Sequence, residues 1–218
     1  MDYQPIGVIA QTLTPFCYHS LAIQSGSATI PELIGDRAIA FGLAATLGMM
    51  NASVALPPKD YRQHLQAMPY RTSVFVTQQP KLLPPILRRL NLDTEGSYDE
   101  AIRNVVKRGN LATFFQTQEV PPGQQFHGAI FGFDPFKYAG REELVIRIGL
   151  HRNGMISLKK AEDPKVNTVY LNAATAALFG RELPVKRYFL HGLQLTPEYT
   201  LKKAWEETQQ WQWTAMTR

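Results

Sequence analysis

The residues of this 218-residue chain that could do chemistry are few and scattered. Five histidines, His19, His64, His127, His151 and His191, accompany a single cysteine, Cys17. No two histidines stand four apart, the spacing that sets a pair of imidazoles on one helical face, and Cys17 has no second thiol near it. Cys17 and His19 alone make too small a ligand set, so the sequence predicts a buried thiol, a loop imidazole, no metal and no cofactor. One cysteine also rules out an internal disulfide framework. A phosphate-cradling glycine loop, a nucleophile elbow and a paired-carboxylate motif are all absent from the sequence. Gly149 to Gly154, GLHRNG, bridge two strand-like runs instead of opening a helix. What remains for catalysis is metal-free RNA cleavage, which needs only a base, an acid and a cation. Tyr18, His19, His127 and Lys159 are the residue types for that role.

Cations say more. There are 23 Lys and Arg against 18 Asp and Glu, a net charge of +5 that favours polyanions. In Leu144 to Gly149 the alternation puts Leu144, Ile146 and Ile148 on one face and Arg147 on the other, so Arg147 projects from a sheet whose far side is core. Arg152 follows in the turn, with Lys159 and Lys160 on the returning strand. A strip of this kind can line a phosphate backbone, and it can equally be a solvated sheet face among Glu142, Glu143, Glu162 and Asp163. Arg103, Lys107 and Arg108, with Arg88 and Arg89 before them, form a second group near Phe114, Phe115 and Phe126. Aromatic rings can stack splayed bases beside such cations, although core packing is the commoner fate of a strand Phe.

The elements that must position these residues are short. Gln4 to Thr14 reads as a first strand. Pro31 and Glu32 suit a first helical turn, Ile34, Ala38, Phe41 and Ala45 mark an apolar face, and Gly48 ends the helix. Small residues at Ala38, Gly42, Ala44 and Ala45 let that helix lie close on a sheet. Residues 54–110 are dense in proline and charge and read as an inserted arm, with a strand at Thr72 to Thr77, a short helix at Pro85 to Leu90 and a helix from Ser97 to Gly109, where extended structure from Asn104 onward also fits. Strands then dominate: Leu111 to Gln118, Gln125 to Phe131, Glu143 to Ile148, Met155 to Lys160, Thr168 to Leu171 and, last, Val185 to Leu190. Ala173 to Leu178 reads as a short helix and Pro197 to Trp211 as a C-terminal one. Asn153-Gly154 is a hairpin signal, so the sheet is expected to be antiparallel in a single α+β domain spanning 1–218.

With 44% hydrophobic and 19% charged residues, the chain has the composition of a folded protein. Its N-terminus begins with an acid and meets Pro5 and Pro15 before any long apolar run, which predicts no signal peptide. Ala38 to Met50 is too short for a bilayer. A reducing, cytoplasmic setting is expected.

TPF, IGDRAIAFGLAATLGM, RNVVKRGNLATFFQTQEVPPGQQFHGAIFGF and LVIRIGLHRNGMISLKK, in that order, resemble the small RAMP-superfamily subunit of type I-D CRISPR complexes. The most specific pieces are Gly109-Asn110, Val120 to Gly123 and Arg147 to Gly149; after Gly149 the chain departs from a more uniformly basic stretch. The resemblance implies a ferredoxin-like RNA-recognition core with a thumb-like arm. It also implies a non-catalytic subunit that caps the 5′ handle of the guide RNA (crRNA), touches the repeated RAMP backbone subunit and docks the large subunit. It leaves contact with target DNA beside the PAM open. Arg37, Arg147, Arg152, Lys159, Lys160 and the arm residues Arg103, Lys107 and Arg108 are the implied RNA contacts. Two other readings compete: an endoribonuclease that processes precursor guide RNA on the same fold, and a structural subunit anchored on protein by Trp205, Trp211 and Trp213.

Overall fold

A computed structural model describes residues 5–18, 20–23, 26–49, 61–89, 114–149, 153–162 and 166–211. In chain order the strands are β1 Ile6–Thr12, β2 Ser20–Ile23, β3 Gly26–Thr29, β4 Leu33–Ile34, β5 Tyr70–Thr72, β6 Phe75–Val76, β7 Ile86–Arg89, β8 Phe114–Gln118 and β9 Gln125–Gly132. They continue with β10 Glu143–Ile148, β11 Gly154–Lys160, β12 Thr168–Val169, β13 Arg187–Leu190, β14 Leu193–Leu195 and β15 Tyr199–Thr200. The α-helices are α1 Asp36–Thr46, α2 Tyr61–Ala67, α3 Pro135–Ala139, α4 Ala173–Ala176 and α5 Leu201–Thr208.

The main sheet runs β10-β11-β1-β9-β6-β4, with β5 also paired to β9. Every pairing among its described strands is antiparallel. Taking β1, α1, β5, β9, α3 and β11 in sequence gives β-α-β-β-α-β, and across the sheet these strands lie β11-β1-β9-β5, the fourth beside the first and the third beside the second. This is the ferredoxin-like arrangement, in an α+β fold. Strand β10 extends it by one strand at the edge, joined to β11 as a hairpin. A smaller sheet, β2-β3-β8-β7, and two short ribbons, β12-β15 and β13-β14, lie outside it.

One face of the main sheet is covered by α1. Val8, Ala10, Phe126, Ile130, Leu144, Ile146, Ile156 and Leu158 share that face by strand alternation, and all are buried together with Ile39, Ala40, Leu43 and Ala44 of the helix. Each buried Leu or Ile of this kind contributes about 1.5–3 kcal/mol. The helix lies close because Gly42 has no side chain: a Cβ there would sit 2.8 Å from Ile146 Cδ1. Thr46 Oγ1 donates to Val145 O at 3.2 Å, and Tyr70 Oη donates to Ala40 O at 2.8 Å, so the helix is tied to β10 at one end and to β5 midway. Burial pushes the Tyr70 phenol well above its ordinary pKa, which keeps it a donor.

The helix begins later than Pro31 and Glu32 suggest. Leu33 and Ile34, both buried, pair as β4 with Val76 and Phe75, and Gly35 in extended geometry then opens α1. Consecutive apolar residues serve two sides here: Leu33 joins a small cluster with Ile30, Val74, Leu193 and Leu195, while Ile34 joins the main core. The stop at Gly48 holds, with φ +68. Other differences follow the same logic. Thr72 to Thr77 is two strands broken at Ser73, and both belong to the main sheet, so residues 70–76 are core where the sequence suggests an arm. Over Pro85 to Arg89 the chain is not helical; Ile86–Arg89 pairs with β8, since Pro84 and Pro85 favour extended backbone. Val185 to Leu190 shortens to β13 and is followed by two more strands. The helix expected from Ser97 to Gly109 lies outside the described residues.

Gly128 provides a test of core tightness. A Cβ at that position would meet Phe75 Cδ2 at 2.5 Å and Cγ at 2.6 Å, on a ring that itself is fully buried. Gly128→Ala is expected to destabilise the fold by about 1–3 kcal/mol, read as a lowered urea midpoint with unchanged m-value.

Candidate nucleic-acid interface

The face of the sheet opposite α1 divides in two. At its β5 end it is roofed by the C-terminal segment. Val166 packs on Gly7, and Arg71 sits 4.5 Å over the ring of Phe179, which stacks on Trp211 at 5.6 Å. Arg71 Nη1 donates to the carbonyls of Leu65, Met68 and Tyr70, and Nη2 to that of Trp211 at 3.1 Å. Burial lowers its guanidinium pKa to about 10. At the β10 end no described element covers the sheet.

The register defines what stands on that open half. Glu143, Lys159, Ile9, His127 and Val76 follow one another across β10, β11, β1, β9 and β6 in a single transverse row. At ~4.8 Å per strand the row is about 19 Å long. Val145, Ser157, Gln11 and Gln125 form a second row, and Arg147 beside Met155 begins a third. Val145 is 42% exposed and Met155 37%, and Arg147, Lys159, Gln11 and Gln125 are exposed as well. This half is therefore a mixed surface of apolar contacts, amides and two cations.

Lys159 Nζ lies 3.1 Å from Glu143 Oε2, and both side chains are largely in solvent. The Ser157 hydroxyl donates to Glu143 Oε1 and, with Lys159, holds that carboxyl below the usual carboxylate range. An exposed pair of this sort adds little stability, so an incoming phosphate can take over Lys159 at small cost. Lys160 faces the other way. Its Nζ donates to Asp134 Oδ2 at 2.7 Å and lies 5.6 Å over the ring of Phe136. Asp134 caps α3 by accepting from the Phe136 and Lys137 amides, so Lys160 braces a helix start.

Arg37 is on the helix side of the sheet, away from Arg147. Its Nε donates to Thr175 Oγ1 and its Nη2 to Ala174 O, each at 3.0 Å. Beside it Asp36 is fully buried, accepting from Asn172 Nδ2 at 2.7 Å, while Asn172 Oδ1 caps α4 and accepts from the Gln194 amide. The cluster fastens the start of α1 to the C-terminal segment. Arg103, Lys107, Arg108 and Arg152 lie outside the described residues, as do His19, His151 and Trp213. Trp211 is 2% exposed and Trp205 packs against the core, so neither is laid out as a surface anchor. Phe126 is core too.

For RNA cleavage the geometry is loose. His127 and Lys159 share the row but flank Ile9, about 10 Å apart at two strand spacings. Tyr18 packs against the main core. Among the described residues, no group of three His, Cys, Asp or Glu is placed to hold a metal ion, and no helix is long and apolar enough to cross a membrane.

A groove of about 850 Å³ adjoins the open half. Gln125 and His127 belong to both; the other walls come from Glu32 and Leu33, Val76 to Lys81, Pro121 to Gln124, the 166–170 stretch, Lys186 and Arg187, and the 195–198 stretch. These groove residues, with Gln11 and Met155, are absent from the sequence-derived set of contacts. Alternation about β11 and β9 carried the signal for the sheet residues; nothing local carried it for the groove.

No family model matches the chain, and no curated protein does. Among solved structures, the chain is similar to one in the cryo-EM structure of the Type III-B Cmr-beta bound to cognate target RNA and AMPPnP. The likeness covers 76% of this chain and 67% of that chain, at 13% identity and a TM-score of 0.42. The ferredoxin-like assignment stands on this chain's own strand order.

Two expectations concern the cluster behind α1. Arg37→Ala is expected to lower stability by about 1–2 kcal/mol through its two hydrogen bonds, with RNA affinity unchanged. Burial raises the Asp36 pKa above its ordinary 3.8, so the folded state keeps a proton that the unfolded chain has already lost. Stability contributed by this group therefore falls as pH rises from about 3.8 through the raised value, and Asp36→Asn, which still accepts from Asn172, is expected to gain on the wild type in urea midpoint as pH rises above about 3.8.

Proposed function

We propose that the chain is a non-catalytic, RNA-binding RAMP-type subunit of a CRISPR interference complex, gripping a single RNA strand across the open half of its sheet. The observation that carries the reading is the division of the sheet: one face is sealed by α1, and the uncovered half of the other sets Arg147 and Lys159 on one surface with Gln11, Gln125, His127 and Met155. Cations on such a surface hold phosphates, and amides and flat side chains take bases. The finer reading, that the strand is the 5′ handle of a type I-D guide and that the subunit touches the backbone and large subunits, is supported by the sequence resemblance. A binding role without cleavage is supported by the roughly 10 Å separation of His127 and Lys159 across Ile9.

Reversing both charges, Arg147→Glu with Lys159→Glu, is expected to weaken binding of a short single-stranded RNA by about 30-fold or more. It should also reduce the slope of log affinity against log salt by about 1.4, two phosphate contacts on a single strand. Fluorescence anisotropy over a salt series reads both. Unchanged affinity and slope would remove the proposal. Incubating the protein with repeat RNA in EDTA is expected to leave the RNA intact; efficient cutting that disappears in His127→Ala would establish the nuclease instead.

A further inference from the structure

We infer that the groove beside the open half of the sheet is a pocket for a nucleobase, entered by an RNA strand as it leaves the sheet at Gln125 and His127; the inference rests on the RNA-binding reading above. The position comes first. Gln125 ends one transverse row and His127 with Val76 ends the other, and all three line the groove, so a strand following the rows from Arg147 and Lys159 runs into it.

The walls are built and braced. Thr12 Oγ1 donates to Pro121 O at 2.7 Å and accepts from the Gln124 amide at 2.8 Å, which pins the Pro-Pro-Gly turn whose Gly123 has φ +78. Gln124 Nε2 then reaches Thr77 Oγ1 at 3.1 Å and the Gln79 carbonyl, locking the 77–81 wall to that turn. Opposite, the Leu171 amide donates to Thr196 Oγ1 and Thr168 Oγ1 to Glu198 Oε1 at 2.6 Å. Arg187 closes one end, 2.7 Å from Glu32 and 4.6 Å over the ring of Phe189.

Chemistry selects the occupant. Both lining carboxylates are engaged, Glu32 by Arg187 and Glu198 by Thr168, while Gln78, Gln125 and Asn167 present exposed amides that can donate and accept at once. That combination matches the mixed donor and acceptor edge of a base. Tyr170 lines the groove with a ring on which a base can stack, and exposed Lys81 and Lys186 supply charge for the flanking phosphates. The volume falls in the range of sites for molecules of nucleotide size.

The probes are a fluorescent oligo-uridine and the same ribose-phosphate chain with every base removed. Wild type is expected to prefer the first by about tenfold, the size of one stacked and hydrogen-bonded base. Asn167→Trp and, separately, Gln78→Trp, both at exposed positions and both judged for folding by circular dichroism, fill the groove. Each is expected to cut that preference several-fold, leaving only what the sheet contributes, without changing the salt slope, and 4-thiouridine on wild type is expected to crosslink to His127 or Tyr170. Folded fillers that discriminate as wild type does, or crosslinks confined to the Met155 region, would overturn the pocket while leaving the sheet reading intact. So would fillers that lose only association with a partner subunit, since the groove would then hold protein. Should wild type and the Arg147→Glu, Lys159→Glu variant bind RNA equally poorly, both readings fall together.

Discussion

The structure depends on how closely α1 approaches the sheet. A helix covers a sheet well only if its contact residues are small enough to let the backbones near each other, and Gly42 against Ile146 is where this chain meets the condition. That single approach seals one face, commits the apolar residues of β1, β9, β10 and β11 to it, and by alternation assigns every intervening side chain to the other face. Arg147 and Lys159 are thus placed together by the packing of residues they never touch.

The cations of this basic chain serve two ends. Arg71, Arg37 and Lys160 hold structure: Arg71 clamps the C-terminal roof through four carbonyls, Arg37 joins α1 to α4, and Lys160 braces the cap of α3. Arg147 and Lys159 stand in solvent on the open half. Net charge alone does not separate these groups; their place does, behind α1 or under the C-terminal roof for the first and on the open half of the sheet for the second.

Legibility in the sequence follows the range of the interactions. Period-two alternation made β10, and with it the placement of Arg147, readable, and the small residues of α1 made its close packing readable. The α3 helix carried its signals, Asp134 as cap, Pro135 in the first turn and Gly140 at the end, but five residues are too few for periodicity to show. The bracing of Asp134 by Lys160, the internal use of Arg37 and the strand at Ile86–Arg89 all depend on partners at least 25 residues away, and no local pattern encodes them, whereas the opposite facing of Lys159 and Lys160 is strand alternation. The groove is the extreme case, since its walls come from six separate stretches of chain.

The place of β1 at the centre of the sheet has a consequence for biosynthesis. Its two neighbours are β9, where Ile6 meets Ile130, and β11, where Val8 meets Lys160. At translation rates of about 5–20 residues per second the first strand emerges from the ribosome roughly 7–30 seconds before the second of those partners exists. Until β9 follows, both of its hydrogen-bonding edges are open to other chains, and until β11 follows one of them still is, which makes the nascent protein a natural client for holding chaperones.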